Sequence, residues 1–97
     1  MGAGGVPNRG VESIVGRSGD LPTSGAKPNA RYDLYLNGKK IQSRWFDDNG
    51  YAIRNRDYKH QNAHNNHFFP HDHTWTWIGD NGRRSKEPLP PDFINFN

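Results

Sequence analysis

Arg31-Tyr32-Asp33-Leu34-Tyr35-Leu36-Asn37-Gly38-Lys39-Lys40-Ile41-Gln42-Ser43-Arg44-Trp45-Phe46 is the stretch that decides the fold. Tyr32, Leu34 and Leu36 alternate with Arg31, Asp33 and Tyr35, the period of two that marks a strand. Asn37-Gly38 follows, and both residue types accept the positive φ that a two-residue hairpin turn demands at its centre. The return strand is then Lys39 to Phe46. That turn sets Leu34 opposite Ile41 and Tyr32 opposite Ser43. It gathers Tyr32, Leu34, Leu36, Ile41 and Trp45 on one apolar face.

Toward the C-terminus, Asp48-Asn49-Gly50 predicts a second turn. A three-residue loop with Gly50 in the left-handed region pairs Asp47 with Tyr51 and Trp45 with Ile53, keeping both apolar residues on one face. A two-residue turn at Asn49-Gly50 instead sets Trp45 against Arg54. The reading is an antiparallel meander over about residues 31–59. His67 to Ile78 supplies a fourth strand after Pro70, since Thr74, Trp75, Thr76, Trp77 and Ile78 suit a pleated surface. The expected fold is mainly β, a small antiparallel meander of three to four strands.

The same registers predict an opposite face bearing Lys40, Gln42, Arg44, Arg54, Arg56, Tyr58 and His60, joined by Arg31 and Tyr35. Basic residues interleaved with aromatics suit a phosphate backbone. They equally suit the wet side of an antiparallel sheet. Asp57 falls by strand parity on the Trp45 and Ile53 side, where it needs a partner if buried.

Outside the meander the chain loosens. Residues 1–30 carry Gly2, Gly4, Gly5, Gly10, Gly16, Gly19 and Gly25 with Pro7, Pro22 and Pro28, and read as a flexible leader ahead of a single β-rich domain over 31–97. Val11 to Val15 is the one segment there that suits a helical turn or a short strand. Residues 60–66 are polar and breaker-rich, a loop. Asp80-Asn81-Gly82 predicts a turn, and Arg83, Arg84 and Lys86 form a second basic cluster. Pro88, Pro90 and Pro91 make the C-terminal tail irregular. Phe93, Ile94 and Phe96 either tack that tail to the core or belong to a loose end.

Composition narrows the classes of function. Only 31% of the 97 residues are hydrophobic, yet 12% are aromatic, which favours a small aromatic core over a disordered chain. There is no cysteine, so thiol catalysis, disulfides and thiolate metal sites are excluded. No apolar run approaches a membrane span. The net charge of +3 leans toward an anionic partner such as RNA or another nucleic acid.

Chemistry is concentrated in His67-Phe68-Phe69-Pro70-His71-Asp72-His73-Thr74-Trp75-Thr76-Trp77, which holds three of the five histidines. In an extended segment His71 and His73 point the same way, with Trp75 and Trp77 beyond them. One candidate chemistry is metal-free RNA cleavage. It needs a base for the 2′-hydroxyl, an acid for the leaving 5′-oxygen and a cation for the phosphorane. His71, His73 and His60 are the acid/base candidates, Arg44, Arg54 and Arg56 the phosphate binders, and Asp57 and His67 further polar candidates. No cofactor is required in that reading. The alternative is a metal centre, zinc being one candidate ion, with His67, His71 and His73 as ligands beside Asp72 or Asp80 and an open position for water. The plain reading is a solvent loop with local hydrogen bonds, and three tryptophans in the core.

Several linked runs carry a family resemblance: Ser18-Gly19-Asp20-Leu21-Pro22-Thr23-Ser24-Gly25, Lys27-Pro28-Asn29, Gln42-Ser43-Arg44-Trp45-Phe46-Asp47-Asp48-Asn49-Gly50, Arg56-Asp57-Tyr58-Lys59-His60 and Phe69-Pro70-His71-Asp72-His73-Thr74-Trp75. Over roughly residues 17–78 the chain resembles small C-terminal modules of bacterial polymorphic toxins and prophage head-morphogenesis proteins, with their Pro-His-x-His-x-Trp stretch. The resemblance implies a toxin effector, often nuclease-like, restrained by a cognate immunity protein. It implies a place in the bacterial cytoplasm or delivery from a parent toxin or phage protein. It equally admits a non-enzymatic interaction or nucleic-acid-binding module. The matching polar positions are Arg44, Arg56, Asp57, His60, His71 and His73. Where such modules often read Trp-Asp-Trp, this chain has Trp75-Thr76-Trp77.

Overall fold

A computed structural model describes residues 10–58 and 70–97. Its fold is mainly β. Six strands, β1 (Val11–Val15), β2 (Arg31–Leu36), β3 (Lys39–Phe46), β4 (Ala52–Asp57), β5 (His71–Ile78) and β6 (Asn81–Arg84), form one sheet in sequence order. All neighbours are antiparallel except β1 and β2, which run parallel. The strand count exceeds the expected three to four, because β1 and β6 extend the meander at its two edges.

The two turns of the meander form, whereas the third falls at Gly79-Asp80 rather than Asp80-Asn81-Gly82, because Asn81 and Gly82 already pair in β6. Asn37 and Gly38 have φ of 52° and 79°, and Leu36 pairs with Lys39. Gly50 takes φ of 80°, and the Asp47 N–H donates to the Tyr51 carbonyl as the three-residue loop requires. A Cβ at Gly50 would press into the Ala26 carbonyl, so the position is closed to side chains on two counts. Gly50→Ala is expected to cost at least about 1 kcal/mol, read as a lower urea midpoint at unchanged slope.

Beyond each turn the register slips by one residue. Leu34 pairs with Gln42, not Ile41, and Trp45 pairs with Arg54, not Ile53. Ile41 and Ile53 are the extra residues of two β-bulges, which transfer every later side chain to the other face. The expected single apolar face therefore does not exist. Tyr32, Leu34, Gln42, Arg44, Phe46, Asn55 and Asp57 share one face with His71, His73, Trp75 and Trp77. Arg31, Asp33, Ser43, Trp45, Arg54, Arg56 and Asp72 share the other.

The physical reason is that both faces are covered, so each needs its own apolar anchors. Parallel β1 and β2 oblige the chain to return over the sheet between them. Residues 16–30 make that return across the histidine face. The Leu21 and Pro22 carbonyls accept from Arg44 Nη1, Thr23 accepts from the Ala52 N–H, and Leu21 and Ala30 are buried. Residues 10–30 are thus part of the domain, which corrects the expectation of a leader.

The irregular C-terminal tail covers the second face. Phe96 packs edge-on against Trp45 at 5.5 Å, and the Asn97, Phe96 and Asp92 carbonyls accept from Arg31, Arg56 and Arg56. Ile94 stays exposed. Beneath the tail Asp72 accepts from Arg54 Nε at 2.6 Å, from Arg56 Nε at 2.7 Å and from Arg56 Nη2 at 3.0 Å. The Asp92 N–H completes its shell at 3.1 Å.

Candidate functional site

Asp57 ends β4 and His71 begins β5, and the ladder sets them directly opposite one another. His73 lies one step along, opposite Asn55. The His71 Nε2 atom is 3.2 Å from Asp57 Oδ2, and His73 Nε2 is 3.9 Å from the same oxygen. The two imidazoles meet edge to face, with centroids 5.2 Å apart and planes at 84°. All three side chains are buried, at 6%, 0% and 5% exposure for Asp57, His71 and His73. Three ionisable groups in one buried corner are costly to a fold, which marks the corner as a candidate site.

Neighbouring groups hold this corner in place. Gln42, opposite Asp57 on β3, donates from Nε2 to Asp57 Oδ1 at 2.9 Å. His73 Nδ1 lies 2.8 Å from the Ser85 carbonyl oxygen. A carbonyl oxygen only accepts, so Nδ1 carries the proton and the neutral ring presents its Nε2 lone pair toward Asp57. Burial pushes the His73 pKa below its usual value. The charge of Arg84 and the His71 ring push the same way, against the Ser85 bond and Asp57.

Arg44 is on the same face, two residues from Gln42 along β3 and opposite Asn55. Its Nη1 donates to the Leu21 and Pro22 carbonyls at 3.0 Å each, and its guanidinium stands 5.2 Å over the Trp75 ring. Burial brings Arg44 down to about 10, Asp57 opposing and Arg84 adding to the shift. It therefore stays cationic at neutral pH. Trp75 Nε1 donates to Asn55 Oδ1 at 2.6 Å and Trp77 Nε1 to the Ala52 carbonyl at 2.7 Å, so both indoles are fixed against the sheet.

Of the expected site residues, the structure brings together His71, His73, Asp57 and Arg44. Arg54 and Arg56 lie on the opposite face, engaged by Asp72 and separated from the histidines by the sheet. The bulge at Ile53 takes them off the Arg44 face and takes Asp57 off the Trp45 side, while the unbroken β4–β5 register sets Asp57, and not the arginines, against the histidines. Asp72 and Asp80 do not join the cluster: Asp72 sits under the tail, and Asp80 accepts from the Tyr51 hydroxyl. His60 and His67 lie outside the described residues. Gln42, placed by the sequence only on the basic face, and Asn55 and Ser85, not singled out there, complete the site. They are ordinary polar residues until the register places them.

Asp57, His71 and His73 could hold a metal ion, each offering one ligand atom, with these atoms all within 4.8 Å of one another. The ligand types suit zinc and other borderline ions. His73 bonded through Nδ1 to a backbone carbonyl, and Asp57 bonded to Gln42, form the outer shell such centres use. Asp57 was not among the ligands expected from the sequence, and His67, which was, lies outside the described residues. Among the described residues no helix is long and apolar enough to cross a membrane. No protein-family model, curated protein or solved structure matches the chain.

Proposed function

We propose that this chain is a toxin-type effector domain that cleaves RNA at the Asp57–His71–His73 corner. The observation that carries the reading is the convergence of two buried histidines and a carboxylate beside a buried arginine, all on one face of the sheet. RNA supplies its own nucleophile. His73 Nε2, unprotonated because Nδ1–H is bound to Ser85, accepts the 2′-hydroxyl proton as that oxygen attacks phosphorus. His71, positioned by Asp57, protonates the departing 5′-oxygen. Arg44 faces the charge that gathers on the non-bridging oxygens. The products are a 2′,3′-cyclic phosphate and a free 5′-hydroxyl. A cognate immunity protein is the expected partner of such an effector.

A second reading has its own support. The bonds from Ser85 to His73 and from Gln42 to Asp57 are those of an outer metal shell, so zinc held by Asp57, His71 and His73 would make this a metal-dependent hydrolase. One assay separates the readings. The purified domain is incubated with end-labelled RNA and with DNA of the same sequence, each with and without chelator, and the ends are identified by mass spectrometry. Cyclic-phosphate ends from RNA alone, unchanged by chelator, uphold the first. Cleavage abolished by chelator and restored by zinc moves the function to the second. Intact RNA under every condition leaves a non-enzymatic docking module.

A further inference from the structure

Two arginines flank one tryptophan beside the histidine corner. Arg44 reaches the Trp75 ring from β3, and Arg84 lies directly opposite Trp75 in the β5–β6 ladder. Among the described residues neither guanidinium forms an ion pair with a carboxylate. Asp57 is the one acid whose charge is felt at Arg44, so two cations against it leave the site net positive. Its donors are also unfilled. Arg44 Nε and, on the residue opposite it, Asn55 Nδ2 are buried with no hydrogen-bond partner among the described residues. Such donors cost free energy until an acceptor meets them.

The aromatic surface continues from there. Trp75 and Trp77 lie nearly parallel, with centroids 6.1 Å apart and planes at 21°. The six-membered ring of Trp77 rests on the Gly82 backbone, where a Cβ would come within 2.6 Å. Both rings keep part of their surface open, and Arg84 is exposed. Fixed, half-open indoles beside cations are the elements of single-strand recognition, since every base offers a π-face and every nucleotide a phosphate. A duplex keeps its bases stacked and paired and cannot use such a rail.

We propose that Arg44, Arg84 and Asn55 seat a phosphate of single-stranded RNA next to His73, with the adjoining base against the Trp75–Trp77 pair. The sheet makes the order explicit. His71, His73, Trp75 and Trp77 are alternate residues of one strand, so a strand lying along them passes from the aromatic rail to the reacting corner. The choice of RNA rests on the cleavage reading, whereas the anionic and aromatic character of the subsite stands on its own geometry.

The test is a tryptophan-fluorescence titration of the whole chain with a 2′-O-methyl RNA oligonucleotide, which has no free nucleophile. It is run over a salt series, with duplex of the same sequence and inorganic phosphate alongside. Saturable quenching is expected with the single strand. Arg84→Glu should weaken it by about tenfold or more and lower the log–log salt slope by about 0.7, one phosphate contact fewer. Arg84→Lys should fall between. Arg84 is exposed, so an unchanged melting curve for Arg84→Glu keeps folding out of the comparison. Wild-type affinity in Arg84→Glu, or equal binding of the duplex, overturns the subsite. Binding that depends on Arg84 while ordinary RNA stays uncut upholds the subsite and removes the chemistry. Cleavage with binding indifferent to Arg84 does the reverse.

Discussion

Asp72→Ala is expected to remove a large share of the stability of this domain. Asp72 is fully buried, and it is the shared acceptor of Arg54 and Arg56 at 2.6 to 3.0 Å. Removing it leaves Arg56, itself 1% exposed, as a buried cation held only by the Phe96 and Asp92 carbonyls and by the faces of Trp45 and Phe93. Breaking a buried pair from one side costs about 3–5 kcal/mol, against about 5–15 kcal/mol for a whole small domain. The tail loosens as well, because the Asp72 carboxylate also receives the Asp92 N–H, leaving the two backbone bonds to Leu89 to hold the tail from here. A fall in Tm of about 15 °C or more is expected by circular dichroism. Asp48→Ala, an exposed control, should move it little. A melting curve for Asp72→Ala that overlies the wild type would show that the arginines find other partners and that the tail is not held from here.

The same carboxylate gives the domain an acid limit. Burial works to raise the Asp72 pKa, but hydrogen bonds from Arg56 and Arg54, the Asp92 N–H and the charge of Arg56 outweigh it, and the net shift is below 3.8. A carboxylate depressed on folding stabilises the native state fully above its unfolded pKa. That contribution is lost as pH falls through the lower folded value. Acid unfolding of the wild type should therefore set in below about pH 4, and Asp72→Asn should lack that component.

The parts of this structure that local chemistry determines could be read from the sequence. Asn37-Gly38 and Gly50 turn where their φ preferences say, and the alternation along His71, His73, Trp75 and Trp77 puts both histidines on one face. What could not be read was any consequence of covering both faces. The turns specify register only at their own mouths. The bulges at Ile41 and Ile53 answer to packing from residues 16–30 and from the tail, segments distant in sequence and poor in periodic pattern. One residue of slip at Ile53 was enough to exchange Arg54 and Arg56 for Asn55 and Asp57 on the Arg44 face, which the β4–β5 register then shares with the histidines. The basic face read from strand parity thus divides: Arg54 and Arg56 clasp buried Asp72, Arg31 pairs with Asp33, Lys40 stands over Tyr58, and Arg44 alone of that set joins the histidines among the described residues. Parity within a strand was dependable, and parity across two bulges was not.

His73→Ala should abolish cleavage while leaving a folded domain, with His71→Ala as its companion. A positioned general base contributes about 10²–10⁴ in rate, so a loss of at least about a hundredfold in kcat is expected, with substrate affinity largely kept because Arg84 and the indoles are untouched. The pH profile identifies the role. A base must be neutral to act, and His73 is held neutral by burial, with its pKa below 6.5. The acid limb of the wild-type profile should accordingly lie below pH 6.5, with the base form predominating at neutral pH. That limb should be absent from whatever activity His73→Ala retains, and His73→Gln should not restore it, since an amide can replace the bond to Ser85 but cannot take up a proton. The zinc reading makes a different forecast for the same variant: the loss appears as missing metal stoichiometry, and excess zinc recovers part of the rate. Full activity in both His73→Ala and His71→Ala is the result that neither chemistry survives. The buried corner would then be a structural knot, leaving the half-open indoles of Trp75 and Trp77 with exposed Arg84 as the candidate surface on this face among the described residues.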